Sequence, residues 1–233
     1  MNKEEFINEL LKLNININDK KLFMLEEYYN LLIEENKKYN LTSITKKEDV
    51  YLKHFYDSLT ISKIIDLDKE SLLDIGSGAG FPGIVLKIIY PNLKITLLDS
   101  TLKKCNFLEL VISKLNLKNI KVINERAEIY SKNVREKYDI VTSRAVAPLK
   151  HLLEYSIPTL KVNGYYIAMK SNIKEEIKGI TIYEKELSIK EKSRITFNLP
   201  KDNSLRTLIK YQKTNKTNIK YPRKYNEIKK KNL

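Results

Sequence analysis

The stretch LLDIGSGAGFPG, from Leu72 to Gly83, decides the fold because it joins a short apolar run to a turn made largely of glycine. In a doubly wound α/β sheet, ligands bind outside the carboxyl ends of the strands, and a glycine turn after the first strand is a common binding site. Gly76, Gly78 and Gly80 fall there. Glycine accepts positive φ angles and lets a ligand lie against bare backbone. The stretch therefore predicts either a ligand-binding turn or an ordinary tight connection between strand and helix.

Short apolar runs alternate with helical patterns beyond Ser71, which is typical of a parallel sheet covered by helices on both faces. The predicted strands are SLLDI, KITLLD, IKVIN, YDIVTS and GYYIAMK. The predicted helices are PGIVLKIIY, LKKCNFLELVISKL and PLKHLLEYSI. Beyond Lys170, TIYEKELSI and LRTLIKYQK are expected to pair as antiparallel edge strands. The pattern predicts an α/β fold with a mostly parallel, doubly wound, Rossmann-like sheet and an antiparallel edge.

The N-terminal part of the chain has a different pattern. From Glu4 to Lys38 the apolar residues recur at three- and four-residue spacing, which predicts two amphipathic helices. Asn18 or Asp19 is expected to cap the second helix. The stretch YLKHFYDSLTISKII continues the helical pattern. We therefore predict a helical extension over residues 1–66 and a ligand-binding domain, ending in a basic tail, over residues 67–233.

Composition limits the classes of function. The one cysteine, Cys105, excludes an internal disulfide framework and a cysteine-built zinc site. The two histidines, His54 and His151, lie far apart in the sequence, so no metal is expected. The chain has no apolar run long enough to span a membrane, and its first residues, MNKEEFINELLKL, contain acids where a signal peptide has basic residues. These features predict a soluble, cytoplasmic protein.

The formal net charge of +14 is large enough to favour a polyanionic partner. The excess is concentrated near the carboxyl end, where residues 210–233 contain nine lysines or arginines and one acid, Glu227. A solvated tail in a chain that is lysine-rich throughout is the alternative interpretation.

Three details of the glycine turn narrow the choice of ligand. The spacing of Gly76, Gly78 and Gly80 is not the dinucleotide pattern, and no lysine followed by Ser or Thr closes a phosphate loop. Asp74 would repel a phosphate but suits a cationic ligand. Asp99 ends the second strand 23 residues after Gly76, where a carboxylate can accept hydrogen bonds from both hydroxyls of a ribose. S-adenosylmethionine, a positively charged nucleoside without phosphate, fits all three details. Ala127 and Glu128 follow the third strand and could pair with the adenine edge, and Phe81 either shapes the turn or packs in the core.

Several motifs together resemble one family. They are YNLTSI, HFYDSL, LLDIGSGAGFPGIVLKIIYP, ITLLDSTLKKCNFLE, ERAE, TSRAVAPL and AMKS. In order and spacing they are similar to the bacterial small-subunit ribosomal RNA guanine-N7 methyltransferases, the RsmG or GidB family. The resemblance is specific between about Tyr39 and Lys170. It implies a class I methyltransferase fold with an N-terminal helical extension, and transfer of a methyl group from S-adenosylmethionine to N7 of one guanosine in small-subunit RNA.

The resemblance also implies roles for individual residues. Cofactor contacts are expected from Gly76, Phe81, the Ala127–Glu128 pair and Arg144. His54 and Asp57 match the family's H-x-x-D-S stretch, which is expected near the mouth of the site on the RNA side. The carboxyl end keeps the PRK of the family's basic tail but lacks the Pro-Gly-x-Pro continuation. Charge and position, independently of the resemblance, make further residues candidates for contact with RNA phosphates: Lys170, near the end of the fifth strand, and Arg223 and Lys224 of the basic tail.

The chemistry of the acceptor agrees with this interpretation. The segment TSRAVAPL after the fourth strand is not the Asp- or Asn-Pro-Pro-aromatic motif of exocyclic amine methylation. Carbon-5 methylation needs a cysteine nucleophile, but Cys105 is predicted in the helix after the second strand, on the far side of Asp99 from this segment. Guanine N7 has a free lone pair and needs no general base, so we assign no catalytic residue. Arg144 is assigned to a phosphate or to the cofactor carboxylate, with a surface ion pair as the alternative.

Two other functions stay open at this point. A class I methyltransferase could act on another RNA site or on a small molecule, and a non-catalytic ribosome-assembly factor could keep the cofactor pocket. Salt-sensitive RNA binding distinguishes RNA from small-molecule substrates, and product analysis distinguishes the enzyme from the assembly factor. We expect a monomer whose partner is small-subunit ribosomal RNA or a ribosomal particle, with no membrane association.

Overall fold

A computed structural model describes residues 1–230 and 233 of the chain, so Lys231 and Asn232 of the predicted basic tail lie outside the described residues. A seven-stranded sheet forms the centre, with the strand order β3-β2-β1-β4-β5-β7-β6. The strands are β1 (Ser71–Ile75), β2 (Lys94–Asp99), β3 (Ile120–Asn124), β4 (Tyr138–Arg144), β5 (Leu160–Lys170), β6 (Ile189–Asn198) and β7 (Leu205–Lys213). The first five pair in parallel, and β7 is antiparallel to both β5 and β6. The predicted fold class is thus confirmed.

Helices cover both faces of the sheet. They are α1 (Lys3–Leu11), α2 (Asp19–Tyr39), α3 (Lys47–Val50), α4 (Asp57–Leu59), α5 (Gly83–Ile89), α6 (Leu102–Lys114), α7 (Ala127–Asn133), α8 (Leu149–Ser156), α9 (Ile180–Leu187) and α10 (Tyr225–Lys230). A π-helical turn, Tyr51–Tyr56, joins α3 to α4, and short 3₁₀ segments are formed by Thr60–Lys63 and Ile157–Thr159. Within the described part of the chain, no helix combines the length and apolar character needed to cross a membrane.

The N-terminal helices begin where the sequence predicts. Asn18 caps α2, since its side chain accepts a hydrogen bond from the backbone amide of Lys21. Phe6, Leu25 and Tyr28 are fully buried and belong to the same hydrophobic core as residues of α5 and α6. The N-terminal helices therefore pack on one face of the sheet and reach the glycine turn from that side.

The prediction of a strand at TIYEKELSI is wrong. Most of that segment lies in α9, and the antiparallel partner of β7 is the next segment, β6. Ile180, Tyr183 and Leu187 are buried at helical spacing, whereas β6 alternates buried or half-buried with exposed residues at a period of two. The antiparallel edge itself and the strand at LRTLIKYQK are confirmed.

Candidate cofactor and substrate site

The glycine turn follows β1 and is held from two sides. The backbone amides of Gly76 and Ser77 donate to the carbonyl of Leu98 on β2, at 2.7 and 3.1 Å. From the other side, the hydroxyl of Tyr28 donates to the carbonyl of Ala79. Gly76 and Gly80 have φ angles of +70° and +100°, and a Cβ at Gly80 would lie 2.5 Å from the hydroxyl oxygen of Tyr28. Both positions therefore require glycine, and the backbone of the turn is rigidly placed.

Asp99 ends β2 beside this turn and is 7% exposed. Its Oδ2 accepts from the amide of Gly78 at 2.9 Å, and its Oδ1 accepts from the amide of Thr101 at 2.8 Å. Each carboxylate oxygen has a second lone pair. The side chain is thus held in one orientation by backbone donors and still has acceptor capacity for two hydroxyls of a ligand.

Asp74 lies beneath the turn. It is fully buried, and its Oδ2 accepts from the amide of Gly83 at 3.0 Å. Its Oδ1 has no hydrogen-bond partner among the described residues. Burial raises the pKa of Asp74 to about 7. Asp74 therefore supports the turn from below, and direct contact with a ligand stays a prediction.

Two cavities open side by side at the carboxyl edge of the sheet and share Gly76, Lys104 and Ala145. We call them the Asp99 cavity and the His54 cavity; their volumes are about 640 and 520 Å³. Of the residues singled out from the sequence, the Asp99 cavity contains Gly76, Asp99, Ala127, Glu128 and His151. The His54 cavity contains His54, Asp57, Gly76, Gly78, Phe81, Arg144 and Lys170. Asp74, Gly80, Arg223 and Lys224 do not line either cavity.

A polar cluster forms one wall of the His54 cavity. The ring of His54 stacks on Phe81, with ring centroids 4.3 Å apart and an interplanar angle of 15°. Arg144 donates from Nη1 to Asp57 Oδ2 at 3.1 Å, and its Nη2 lies 3.2 Å from His54 Nδ1. Arg206 donates from Nε to both oxygens of Asp57 at 3.0 Å. The surface ion pair that was the alternative for Arg144 is in fact a partly buried pair inside the site, since the side chains of Arg144 and Asp57 are 14% and 5% exposed.

His54 is held neutral by this surrounding. Burial, and then the positive charge of Arg144, lowers the pKa of His54 to about 3. Because Nδ1 faces the guanidinium donor of Arg144, Nε2 carries the proton and donates to the hydroxyl of Thr42 at 2.9 Å. The neutral ring therefore adds no positive charge to the cavity at neutral pH.

The lowered pKa of His54 predicts a loss of stability on acidification. The unfolded chain binds a proton at this residue below about pH 6.5 and the folded chain does not, so the free energy of unfolding falls as the pH decreases. Relative to His54→Asn, the wild type should lose about 2 kcal/mol between about pH 7.5 and about pH 5. Urea denaturation of both proteins at each pH measures this, since the other titrating groups are common to both. A difference that does not change with pH would mean that His54 titrates normally in the folded state.

The predicted RNA-binding residues differ in their surroundings. The Nζ of Lys170 donates to the carbonyl of Ala147 at 2.9 Å and pairs with Glu176 at 2.8 Å, so the side chain holds two loops of the site together. Arg223 pairs with the fully buried Glu154, away from both cavities. Lys224 is exposed. Only Lys224 of these three presents an open cationic surface.

Sequence reasoning missed several residues of the two walls. Arg206 lies on β7, and only the antiparallel edge brings it to Asp57. Lys104 lies on α6, at the shared border of the cavities. Tyr225 and Lys229 of α10 line the Asp99 cavity, although the sequence assigns that segment to a basic tail. The rarity of arginine in this lysine-rich chain is a signal that could have found Arg206.

The sequence is similar to that of known proteins along most of its length. The family model described as GidB, rRNA small subunit methyltransferase G, matches residues 21–207. Ribosomal RNA small subunit methyltransferase G of Staphylococcus carnosus is 45% identical over 234 residues, covering 96% of this chain and 95% of the relative. The protein of the same name from Bacillus velezensis is 44% identical over 228 residues, with the same two coverages.

Solved structures share the fold at low sequence identity. M. jannaschii TYW2 in complex with AdoMet superposes with a TM-score of 0.58 at 14% identity, covering 73% of this chain and 79% of that chain. A SAM-dependent methyltransferase from Aquifex aeolicus gives a TM-score of 0.55 at 16% identity, covering 74% and 97%.

The sheet order, the glycine turn and the carboxylate at the end of β2 define the class I methyltransferase fold. The match to a methyltransferase family model indicates S-adenosylmethionine as the cofactor. The match to residues 21–207 and the identity to the curated relatives show more than the class. The chain belongs to the rRNA small subunit methyltransferase G family. The resemblance stated from the motifs is thereby confirmed.

Proposed function

We propose that the protein transfers the methyl group of S-adenosylmethionine to N7 of a guanosine in 16S ribosomal RNA. The observation that carries the proposal is the pair of cavities that meet at Gly76 and Ala145 in a chain of this family. One cavity has the groups that suit an adenosine, and the other has an aromatic and cationic wall that suits a nucleotide. Their shared border is where a methyl group would pass between two bound molecules.

The Asp99 cavity fits the nucleoside part of the cofactor. Asp99 accepts from the ribose hydroxyls through its remaining lone pairs, and the Ala127–Glu128 pair meets the adenine edge. Gly76, Gly78 and Phe81 lie where the amino-acid part continues into the His54 cavity. Asp74 and Gly80 act indirectly, by holding the turn in shape.

Arg144 holds the substrate wall in position. Its Nη1 is bound to the carbonyl of Lys53 at 2.9 Å as well as to Asp57, which ties β4 to the helical turn that carries His54. The guanidinium also lies 5.3 Å from the centroid of the Phe81 ring. Its remaining donors can still meet a phosphate or the cofactor carboxylate, because a guanidinium has five N–H groups.

Bound S-adenosylmethionine would supply a sulfonium methyl group: the bond from N7 to the methyl carbon forms as the carbon–sulfur bond breaks, S-adenosylhomocysteine leaves, and N7 has no proton to lose first. The protein's part is alignment, which in well-oriented reactions contributes about 7–11 kcal/mol. The methylated purine carries a positive charge, and neutral His54 and the Asp57 carboxylate keep the charge of the wall from rising further. No residue of the cavity is required as a general base.

The RNA partner is supported by charge. The chain has a net charge of +14, and Lys224 is exposed directly before α10. The protein acts in the cytoplasm, where the bacterial small ribosomal subunit is made, and it acts as a monomer with a helical extension over residues 1–66.

The steep salt dependence of polyanion binding should be seen when affinity for small-subunit RNA is measured at increasing salt.

Product analysis tests the proposal. The purified protein is incubated with S-adenosylmethionine carrying a radiolabelled methyl group and with small-subunit RNA or particles, and the digested nucleosides are separated. Label in 7-methylguanosine is the expected result. Label in another nucleoside would move the enzyme to a different RNA site. Cofactor binding without label on RNA or on any particle would favour the assembly-factor interpretation.

A further inference from the structure

The C-terminal tail is fixed to the body of the protein by side chains of the methyltransferase core. The guanidinium of Arg135 donates to the backbone carbonyls of Thr217 and Tyr221 at 2.7 Å. Ile228 is 2% exposed and belongs to the core that contains Leu149 and Tyr155. The short helix α10 is therefore fixed to the body of the protein beside the Asp99 cavity.

This anchoring turns one side of α10 toward the Asp99 cavity. Tyr225 and Lys229 are four positions apart, so they lie on the same side of the helix, and both line the cavity. The guanidinium of Arg126 lies 4.5 Å from the centroid of the Tyr225 ring. Arg126 in turn donates from Nε to Glu128 Oε1 at 2.6 Å. A continuous line of contacts thus runs from the tail to the Ala127–Glu128 pair.

We propose that Tyr225, stacked with Arg126, forms the outer wall of the adenosine site, so that the tail contributes to cofactor affinity. The inference rests on the proposed placement of the adenosine in the Asp99 cavity. The Tyr225 residue is 39% exposed and the side chain of Arg126 is 51% exposed, so both have surface to cover when the cavity is filled. A cation over an aromatic face becomes a stronger contact as water leaves it. Binding of the adenosine part should therefore strengthen the Arg126–Tyr225 contact.

The tail would then have a role in cofactor binding that does not depend on RNA. A tail that only contacts RNA would leave the affinity of the RNA-free protein for the cofactor unchanged. A tail that forms a wall of the adenosine site changes that affinity in the absence of RNA. Calorimetric titration of the full chain with S-adenosylhomocysteine, which has the same adenosine part, separates the two.

Tyr225→Ala is expected to weaken S-adenosylhomocysteine binding about tenfold, the size of one aromatic contact with a base. Arg126→Ala should weaken S-adenosylhomocysteine binding several-fold. In the double variant the loss of affinity should be smaller than the product of the two single losses, because the two residues act as one contact. Tyr225→Phe keeps the ring and should bind within about twofold of the wild type, since the ring face carries the cation–π contact. Tyr39→Ala is the matched control, because Tyr39 is 40% exposed and lines neither cavity.

Tyr225→Ala and Arg126→Ala affinities equal to that of the Tyr39→Ala control would overturn the inference and leave the proposed function standing. An absence of binding in the wild type would overturn both. Thermal unfolding of each variant shows whether a change in affinity accompanies loss of the fold, and retained affinity in Tyr225→Phe with loss in Tyr225→Ala supports the wall contact.

Discussion

Asp99→Ala is expected to weaken the binding of S-adenosylmethionine about a hundredfold. The substitution removes charge-assisted hydrogen bonds to two ribose hydroxyls, which together account for about 3 kcal/mol. It also leaves the backbone amides of Gly78 and Thr101 without their present acceptors, so the turn loses part of its support. Calorimetric titration of the RNA-free protein measures the affinity directly.

Two variants make the result specific to the ribose contact. Asp99→Asn keeps the shape and one carbonyl acceptor but loses the charge, so its affinity should fall between those of the wild type and Asp99→Ala. Glu109→Ala removes one negative charge from an exposed position on α6 outside both cavities. Its affinity should equal that of the wild type. If Asp99→Ala binds as tightly as Glu109→Ala, the ribose does not lie at Asp99.

The inner parallel strands β1, β2 and β4 could be predicted from the sequence because both of their faces are largely buried. Their sequences, such as SLLDI and KITLLD, are nearly continuous apolar runs, which are typical of buried parallel strands. The glycine turn marks the end of the first strand. The strands of the antiparallel edge could not all be predicted. TIYEKELSI is short and contains β-branched residues, which favour a strand, but its apolar residues also recur at helical spacing. In the structure this segment forms the helix α9, which buries Tyr183 and Leu187 in the core.

Apart from His54 and Asp57, which the family's H-x-x-D-S stretch indicated, the candidate site could be predicted only where its residues follow a strand. Asp99, Ala127 and Arg144 come directly after or at the end of strands of the sheet, so position along the chain gives position at its carboxyl edge. Arg206 and Tyr225 come from the edge strand and the tail, and their distance along the chain says nothing of their approach to the cavities. Charge in the sequence likewise says nothing of its partner: Lys170 and Arg223 are cationic, but each is paired with a glutamate.

Arg223→Ala is expected to lower the free energy of unfolding by about 3–5 kcal/mol, because it leaves a buried carboxylate without its cation. Glu154 is fully buried, and its Oε2 accepts from Arg223 Nε at 3.0 Å while its Oε1 accepts from Nη2. The two residues are 69 positions apart, so the pair ties the tail to α8. Chemical denaturation at neutral pH measures the change. A loss below about 1 kcal/mol would be typical of an exposed pair and would contradict the buried one.

Combining Arg223→Ala with Glu154→Gln separates the structural role of Arg223 from a role in RNA binding. Removing the negative charge should restore much of the stability lost in Arg223→Ala, since the variant no longer buries an unpaired carboxylate. It cannot restore a contact between Arg223 and a phosphate. If RNA affinity falls in Arg223→Ala and returns with stability in the double variant, Arg223 acts by anchoring the tail. If stability returns while RNA affinity stays low and its salt dependence stays reduced, Arg223 contacts the RNA backbone as well.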